Sequence, residues 1–248
     1  MMSEEWIIGK NAVLEAFRSG RAMNKVMVSD QMQAKASQQI HKIAKESGIQ
    51  VQKVPRKKLD QLVDGNHQGV VASVAAYTYS EWEDIFHKAE ERGESPFILI
   101  LDEIEDPHNL GSILRTADAA GVHGVIIPKR RSVGLTATVA KTSTGAIEYI
   151  PVVRVTNIAR TIDQLKEQRV WVVGTDAKGD EDFRQLQGDM PIALVIGSEG
   201  KGISRLVKEK CDWTVNLPMV GRVTSLNASV AAGLLMYEIH RKRHPLGE

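Results

Sequence analysis

Short apolar runs alternate with helical patterns from residue 97 to the end of this 248-residue chain. The runs that we predict as strands lie near Phe97 to Leu101, Val125 to Ile127, Glu148 to Val152, Val170 to Val173, Ile192 to Ile196 and Trp213 to Val215. Strands that alternate with helices predict a parallel sheet sandwiched between helices. General topology rules favour an unknotted, doubly wound arrangement, because knotted chains are rare. We therefore expect an α/β fold.

Two segments rich in glycine and hydroxyl side chains, Ile196 to Ser204 and Asn216 to Gly233, follow predicted strands. Each leads into a helix, so backbone amides converge where parallel strands end, which is where α/β proteins bind cofactors. The glycines of the first segment run G-x-x-G-x-G, which is neither the dinucleotide fingerprint nor a P-loop. Tight turns explain these two segments, taken alone, equally well.

A third segment, Leu101 to Pro128, reads as strand, loop, helix, glycine turn and strand. We predict Asn109 as the helix N-cap, and we place Ser112 and Arg115 on one helix face because they are three residues apart. The buried side is expected to consist of Ile113, Leu114, Ala117 and Ala120. Taken alone, this segment is explained more simply by a capping Asn and a solvated Arg.

Together, the order and spacing of the three segments resemble the signature motifs of the SpoU, or TrmH-like, family of SPOUT RNA methyltransferases. The motifs are N-x-G-x-x-x-R, G-x-E-x-x-G, and L-P followed by S-L-N. The matching residues are Asn109, Gly111, Arg115, Gly197, Glu199, Gly202, Leu217, Pro218, Ser225, Leu226 and Asn227. The preceding domain is also similar to that of bacterial large-subunit ribosomal RNA guanosine 2'-O-methyltransferases.

The resemblance implies a C-terminal SPOUT domain whose parallel sheet carries a deep trefoil knot, against the general topology rule. It also implies a small N-terminal ribosomal-protein-like α/β domain that holds RNA. We assign residues 1–76 to this RNA substrate-binding domain, 77–95 to a linker and 96–248 to the catalytic domain. The linker contains Trp82, Ile85 and Phe86, and we expect a short amphipathic helix docked on one domain.

Within the first domain, the apolar pattern predicts a helix that ends at Gly20. Strands are expected at Lys25 to Val28 and at Gln50 to Val54, with a polar helix at Gln31 to Ser47 between them.

The activity implied by the resemblance is methyl transfer from S-adenosylmethionine to a ribose 2'-hydroxyl, with guanosine in 23S ribosomal RNA ranked first. Transfer RNA stays open as the substrate, and so does a noncatalytic role as an RNA-binding ribosome-assembly factor. The expected catalytic residues are Arg115, Asn109, Glu199, Asn227 and Ser225. The expected cofactor-binding residues are Thr175, Ile196, Gly197, Leu217, Pro218 and Leu226.

Arg115 matches the residue to which the family assigns activation of the hydroxyl. Keeping an arginine neutral near pH 7 would cost roughly 7 kcal/mol, whereas a guanidinium about 4 Å from the oxygen favours the alkoxide by up to roughly 4 kcal/mol. We therefore expect a permanently charged Arg115, with Asn109 and Asn227 positioning it or the ribose. Glu199 is expected to organise the loop and Arg115, and Ser225 to cap a helix as well as bind ligand.

Basic and polar residues in two regions are expected to contact RNA, because phosphate contacts dominate RNA affinity. In the first domain these are Arg56, Lys57, His67 and Gln68, and in the second Lys129, Arg130, Arg131 and Lys141. A solvated helix cap, turn or loop is the alternative explanation in each region. The net charge of +1 argues against indiscriminate nucleic-acid binding.

The single cysteine, Cys211, excludes an internal disulfide and any multi-cysteine metal cluster, so we expect no metal. The acidic, polar start MMSEEW and the lack of an apolar stretch approaching about 20 residues predict a cytoplasmic protein without membrane contact. The resemblance implies a homodimer packed through the knot and the last helix. There, Val230, Leu234 and Met236 could equally be ordinary core residues.

Overall fold

The computed structural model describes residues 6–18, 21–74 and 77–247 of the chain. The chain divides into two compact units, Met1–Thr78 together with Gly134–Thr138, and Tyr79–Val133 together with Val139–Glu248. The predicted helix end at Gly20 lies outside the described residues.

A four-stranded mixed sheet forms the centre of the first unit. Its strands are β1 (Trp6–Ile8), β2 (Met23–Ser29), β3 (Gln50–Val54) and β4 (Val70–Val74), and its helices are α1 (Lys10–Arg18), α2 (Ala34–Glu46) and α3 (Arg56–Leu62). The strand order is β1-β4-β2-β3, with β4 antiparallel to β1 and β2, and β2 parallel to β3. Apolar side chains from α1, α2 and the sheet, including Val13, Ile40 and Val70, share one core.

From residue 79 onwards strands and helices alternate. The strands are β5 (Phe97–Leu101), β6 (Gly124–Pro128), β7 (Val152–Val155), β8 (Trp171–Thr175), β9 (Glu181–Asp182), β10 (Ile192–Ile196) and β11 (Trp213–Asn216). The helices are α4 (Trp82–Arg92), α5 (Pro107–Ala119), α6 (Ala137–Thr142), α7 (Ile158–Glu167), α8 (Arg205–Lys210) and α9 (Ala228–Arg243). Short 3-10 helices lie at Ala146–Glu148 and Phe183–Gln185.

All pairs in the seven-stranded sheet are parallel, in the order β7-β6-β5-β10-β8-β11-β9. The predicted α/β fold is thus confirmed. The central strands β5 and β10 are buried along their whole length, as parallel strands covered on both faces must be. The predicted strand at Glu148 to Val152 was wrong in position, because Ala146–Glu148 forms a 3-10 helix and β7 starts only at Val152.

Helix α4 lies within residues 77–95, the segment predicted as a linker. A capping box between Glu81 and Asp84 begins it, and Gly93 ends it in the left-handed conformation (φ 64°). Its Ile85 is fully buried in the core of the second unit, where it occupies the space that a side chain at Gly124 would need. Helix α4 is therefore packed into the second unit.

Helix α5 begins earlier than the sequence suggested. Its N-cap is Asp106, whose side chain accepts a hydrogen bond from the His108 N–H at 2.9 Å, and Pro107 occupies the first helical position. The prediction of Asn109 as the cap was wrong, and its side chain is free for other contacts. The predicted buried side is confirmed, since Ile113, Leu114, Ala117 and Ala120 are all buried.

Helix α9 closes the second unit and is fixed at its end by Arg243. The guanidinium of Arg243 donates hydrogen bonds to the carbonyl oxygens of Gly188, Ser95, Pro96 and Met190 at 2.7 to 3.4 Å. It also lies over the ring of Phe97, 5.2 Å from the centroid. Among the described residues, α9 and the other helices all fall short of the length and apolarity that crossing a bilayer requires.

Candidate active site

Four loops meet at the carboxyl edge of the large sheet because β5, β10, β8 and β11 are parallel neighbours. The register places Leu101 opposite Ile196, and Thr175 opposite Val215. Each strand therefore ends at the same level, and the loops that follow them converge, as they do at ligand sites of parallel sheets.

The loop after β10 is held tightly at both ends. Ser198 and Gly202 exchange backbone hydrogen bonds, and the buried Asp102 carboxylate, just beyond β5, accepts the Ser204 N–H at 2.7 Å. A side chain on Gly197 would overlap the backbone of Gly202 and Ile203. Glycine is therefore required at position 197 by the close approach of two backbone segments.

These loops enclose a cavity of about 370 Å³, within the size range of small-molecule sites. Five of the six predicted cofactor residues line it: Thr175, Ile196, Gly197, Leu217 and Leu226. Pro218 is not part of its lining. Lining residues that the sequence did not reveal include Asp176, Lys178, Lys201, Met219 and Thr224.

Asp176 directly follows β8 and lines this cavity, which we call the cofactor cavity because predicted cofactor residues form part of its lining. It accepts hydrogen bonds from Lys208 Nζ at 2.8 Å and from the Lys178 N–H at 2.7 Å. The Lys208 hydrogen bond, opposed in part by desolvation, holds the pKa of Asp176 below its ordinary value. A polar residue directly after a parallel strand is the signal that would have identified it.

Three motif residues form a hydrogen-bonded cluster beside the cavity. Glu199 Oε1 accepts from Asn109 Nδ2 at 3.2 Å, from Asn227 Nδ2, and from the Ala228 N–H at 3.2 Å. Asn227 Nδ2 also lies 3.0 Å from Asn109 Oδ1. The structure thus brings together residues 28 to 118 positions apart in the sequence, and Glu199 connects α5, the loop after β10 and the start of α9.

Ser225 and Arg115 are placed differently from this cluster. Ser225 lines the cofactor cavity, but the N-cap of α9 is Asn227, so the expected capping role of Ser225 was wrong. Arg115 is exposed on α5, about 9 Å along the helix axis from Asn109, and does not line this cavity. Within the described residues no hydrogen bond or ion pair joins Arg115 to Glu199.

A second cavity, of about 330 Å³, adjoins the first. Ser198, Glu199, Lys201 and Ala228 line both cavities. The remaining lining of the second cavity is Glu103, Ile104, Glu105, Asp106 and Asn109. Sequence reasoning predicted Asn109 and Glu199 but not the acidic loop after β5.

The first-unit residues expected to contact RNA are not equally available. Arg56 and Lys57 are exposed on α3, and Gln68 is exposed, its side-chain oxygen accepting the Lys10 N–H at 3.2 Å. His67 is 2% exposed, and its two ring nitrogens are taken by Asp60, at 2.8 Å, and by the Gly69 N–H, at 3.0 Å. His67 therefore stabilises its turn and offers RNA no ring nitrogen.

The basic residues of the second unit follow β6 and lie on α6. Arg130 and Lys141 are exposed, Lys129 is half-buried, and Arg131 pairs with Glu103 at 2.8 Å. Arg131 thus already has an anionic partner.

Within the described residues, no group of three or more His, Cys, Asp or Glu side chains is arranged so that it could hold a metal ion. His240 of α9 and His244, the C-cap residue of that helix, have ring centroids 4.6 Å apart. Their H-x-x-x-H spacing is visible in the sequence. Burial raises the pKa of the Cys211 thiol to about 12, which makes it a poor ligand and nucleophile.

Solved structures share this fold. The SpoU methyltransferase AviRb from Streptomyces viridochromogenes, solved in complex with the cofactor AdoMet, is 27% identical, with a TM-score of 0.61 over 96% of this chain and 90% of that one. An AdoMet-bound rRNA methyltransferase from Sinorhizobium meliloti is 25% identical, with a TM-score of 0.55 over 98% and 88%. The cofactor cavity, of about 370 Å³, suits AdoMet in size. Its lining includes Gly197, apolar side chains such as Leu217, and the Asp176 carboxylate. Fold and site define an S-adenosylmethionine-dependent RNA methyltransferase.

The sequence comparisons identify the family. The family model for the SpoU rRNA Methylase family matches residues 96–237, and that for RNA 2'-O ribose methyltransferase substrate binding matches residues 6–80. The chain belongs to the SpoU rRNA methylase, or TrmH, family. The Bacillus subtilis protein YacO, whose name assigns it provisionally to the TrmH family tRNA/rRNA methyltransferases, is 64% identical over 98% of both chains.

Proposed function

We propose that this enzyme methylates the ribose 2'-hydroxyl of a guanosine in 23S ribosomal RNA. The observation that carries the proposal is the position of the Asn109–Glu199–Asn227 cluster. Glu199 lines both the cofactor cavity and the cavity beside it, so a ribose in the second cavity would lie next to the methyl donor. Two side-chain amides held by one carboxylate are suited to orienting a hydroxyl group.

S-adenosylmethionine supplies an activated methyl group on its sulfonium when bound. The backbone at Gly197 and the side chains of Leu217 and Leu226 would hold its adenosine, and Thr175 and Ser225 contribute polar contacts. Asp176 is ionised at neutral pH and would bind an ammonium or ribose hydroxyl groups of the cofactor.

Arg115 lines neither cavity, and we propose that its long side chain turns towards the reacting ribose when RNA binds and there favours the alkoxide. Its charge is permanent, and within the described residues no carboxylate pairs with it, so it is available to an RNA phosphate and to the developing negative charge. Asn109 and Asn227 position the ribose, and Glu199 organises both amides. The proton leaves to water or to a phosphate oxygen.

We assign RNA binding to residues 1–76 and catalysis to residues 96–248, with residues 77–95 as the connection. Arg56, Lys57 and Gln68 of the first unit, and Lys129, Arg130 and Lys141 of the second, are the proposed RNA contacts, because they lie at the surface or at its edge. His67 and Arg131 act indirectly, through the turn and through Glu103. We place the enzyme in the cytoplasm, because its relatives are bacterial and bacterial ribosomal RNA is in the cytoplasm.

The proposal includes a homodimer and a deep trefoil knot. Val230, Leu234 and Tyr237 are 45% to 50% exposed and recur at helical spacing on α9, whereas Met236 is core. Such an apolar stripe is typical of an interface. The contact of Asn227 with the loop after β10, and the packing of α9 against α5, support a C-terminal segment threaded through a loop.

Ribosomal RNA is ranked above transfer RNA because the matching family model describes rRNA methylases, although the name of YacO covers both RNAs. A purely RNA-binding assembly factor would need neither a glycine-edged cofactor cavity nor the Glu199 cluster.

The test is to incubate the protein with isotopically labelled S-adenosylmethionine and separate, unmodified ribosomal and transfer RNA, and then map the 2'-O-methylated nucleotide. We expect label in 23S rRNA for the wild type and a strongly reduced rate for Glu199→Ala. Label in transfer RNA alone would establish the alternative substrate. Label in neither pool, from protein that binds the cofactor, would reject catalysis on these RNAs.

A further inference from the structure

The second cavity has a charge pattern unsuited to the RNA backbone. Its lining includes four carboxylates, Glu103, Glu105, Asp106 and Glu199, against the single cation Lys201. Phosphate oxygens would be repelled there, whereas groups that donate hydrogen bonds would be attracted. At about 330 Å³, and joined to the cofactor cavity through four shared residues, it is large enough for a nucleoside.

Three of the four carboxylates already have partners inside the protein. Glu103 pairs with Arg131 at 2.8 Å, and Asp106 caps α5 through the His108 N–H at 2.9 Å. Glu199 accepts three hydrogen bonds from the amide cluster. Glu105 is exposed and, among the described residues, has no hydrogen-bond or ion-pair partner. Of the four carboxylates it is therefore the one with both oxygens available to a ligand in this cavity.

A carboxylate matches one base better than the others. The pairing edge of guanine presents two adjacent donors, N1–H and the N2 amino group, which a carboxylate can accept with both oxygens. On adenine and cytosine a ring nitrogen acceptor stands beside the amino donor. On uracil two carbonyl oxygens flank the single N–H. Each of these three bases would therefore place an acceptor next to the carboxylate. An unpaired carboxylate in a nucleoside-sized cavity therefore selects guanine.

We propose that the second cavity holds the target nucleoside and that Glu105 selects its base. The Glu105 carboxylate would accept hydrogen bonds from the N1–H and the N2 amino group of guanine. This rests on the proposed function and assigns the base preference to one side chain. With the base at Glu105, the ribose lies towards Asn109 and Glu199, the lining shared with the cofactor cavity. Lys201 lies at the same boundary and is the one cation among the lining residues of the second cavity.

The experiment uses a synthetic RNA containing the mapped target site, with guanosine or inosine at that position. Inosine keeps N1–H but lacks the N2 amino group. We expect the wild type to methylate the guanosine RNA with a kcat/KM roughly 10-fold higher than the inosine RNA, and Glu105→Gln to lower kcat/KM on guanosine by roughly 10- to 100-fold. For Glu105→Gln, the ratio of kcat/KM on the guanosine RNA to kcat/KM on the inosine RNA should fall below about 2.

The matched control is Glu103→Gln, which removes a carboxylate of the same cavity that is already paired with Arg131. Its guanosine-to-inosine ratio should equal that of the wild type. Cofactor affinity, measured by calorimetry, confirms that each variant is folded. Equal ratios for wild type and Glu105→Gln would overturn the proposal, as would a wild-type target other than guanosine. Both of these results leave 2'-O-methylation intact, whereas its absence with every RNA would reject the proposed function itself.

Discussion

Asn227 donates its side-chain amide to the Glu199 carboxylate while its side-chain oxygen caps helix α9. The cap determines which way the amide points, because Oδ1 accepts from the Ser229 and Val230 N–H groups and leaves Nδ2 to donate. The residue that begins α9 is therefore bonded to the residue that borders both cavities. A change at Glu199 would be transmitted to the start of α9 and to Asn109.

Glu199→Ala should lower kcat by about 100-fold, because loss of the shared acceptor lets the Asn109 and Asn227 amides drift by about 1 Å. The free energy of unfolding should fall by only about 1 to 2 kcal/mol, because the Asn109 and Asn227 amides can bond to water and only the N–H of the buried Ala228 loses its acceptor. Methyl transfer and urea unfolding measure the two effects. Glu167→Ala, at an exposed position of α7, is the control, and a large stability loss in Glu199→Ala would contradict this account.

Gly197→Ala should weaken S-adenosylmethionine binding by more than about 10-fold, because a Cβ there overlaps the Gly202 and Ile203 backbone and must displace the cavity wall. Calorimetric titration with the cofactor measures the change. Gly221→Ala provides the comparison, since a Cβ at Gly221 meets nothing within 4 Å. Unaltered affinity in Gly197→Ala would show that the wall can move without cost.

Arg115→Ala should lower kcat by up to about 1000-fold, which corresponds to losing roughly 4 kcal/mol of alkoxide stabilisation. Cofactor affinity should be unchanged, because Arg115 does not line the cofactor cavity. Arg115→Lys keeps the charge but loses the forked donors, so we expect about a 10-fold loss without a change in pH profile. Near-normal turnover with a profile moved towards the lysine pKa would refute the need for a permanent, forked cation.

His123 should make the stability of the second unit depend on pH. It is fully buried between the Phe97 N–H and Glu94, and burial lowers its pKa to about 4. As pH falls below about 6.5, His123 becomes protonated in the unfolded chain but stays neutral in the folded chain. Stability is therefore lost between about pH 6.5 and 4. From pH 7.5 to 5 this loss amounts to about 2 kcal/mol.

The measurement is urea unfolding of wild type and His123→Gln at both pH values. Glutamine can still accept from Phe97 and donate to Glu94, but it does not titrate. We expect the variant to lack the extra loss of about 2 kcal/mol. Identical pH dependence in the two proteins would exclude His123 as its source.

Leu234→Glu should shift the protein from dimer to monomer, because it introduces a charge into the exposed apolar stripe of α9. Analytical ultracentrifugation at several concentrations measures the equilibrium. Leu206→Glu, at a similarly exposed leucine on α8, should leave the dimer intact. A monomeric wild type, or equal effects of the two changes, would argue against this interface.

The parallel sheet was predictable because its central strands are unbroken apolar runs such as Phe97–Leu101 and Ile192–Ile196. The three-residue β1 and the two-residue β9 were not, because so short a segment has no measurable period. Asn109 was mistaken for the cap because Asn and Asp are both good N-cap residues. The true cap, Asp106, lies three residues earlier and directly before Pro107.

In the site, the motif residues were found through resemblance, and their grouping around one carboxylate emerged only from the fold. His67 was overestimated because a sequence does not show that both ring nitrogens are occupied. Glu105 and Asp176 were missed for the opposite reason. Each follows a predicted strand, but only the convergence of the strand ends shows that these carboxylates line adjoining cavities.

The position of β10 in the sheet has a consequence for how the chain is made. β10 lies between β5 and β8, yet the ribosome completes it after both of them. Until residue 196 has emerged, those two strands have no common neighbour, and each presents an open apolar edge. The nascent polypeptide is therefore most vulnerable to aggregation late in translation, and pausing or chaperone binding would protect it most just before that strand appears.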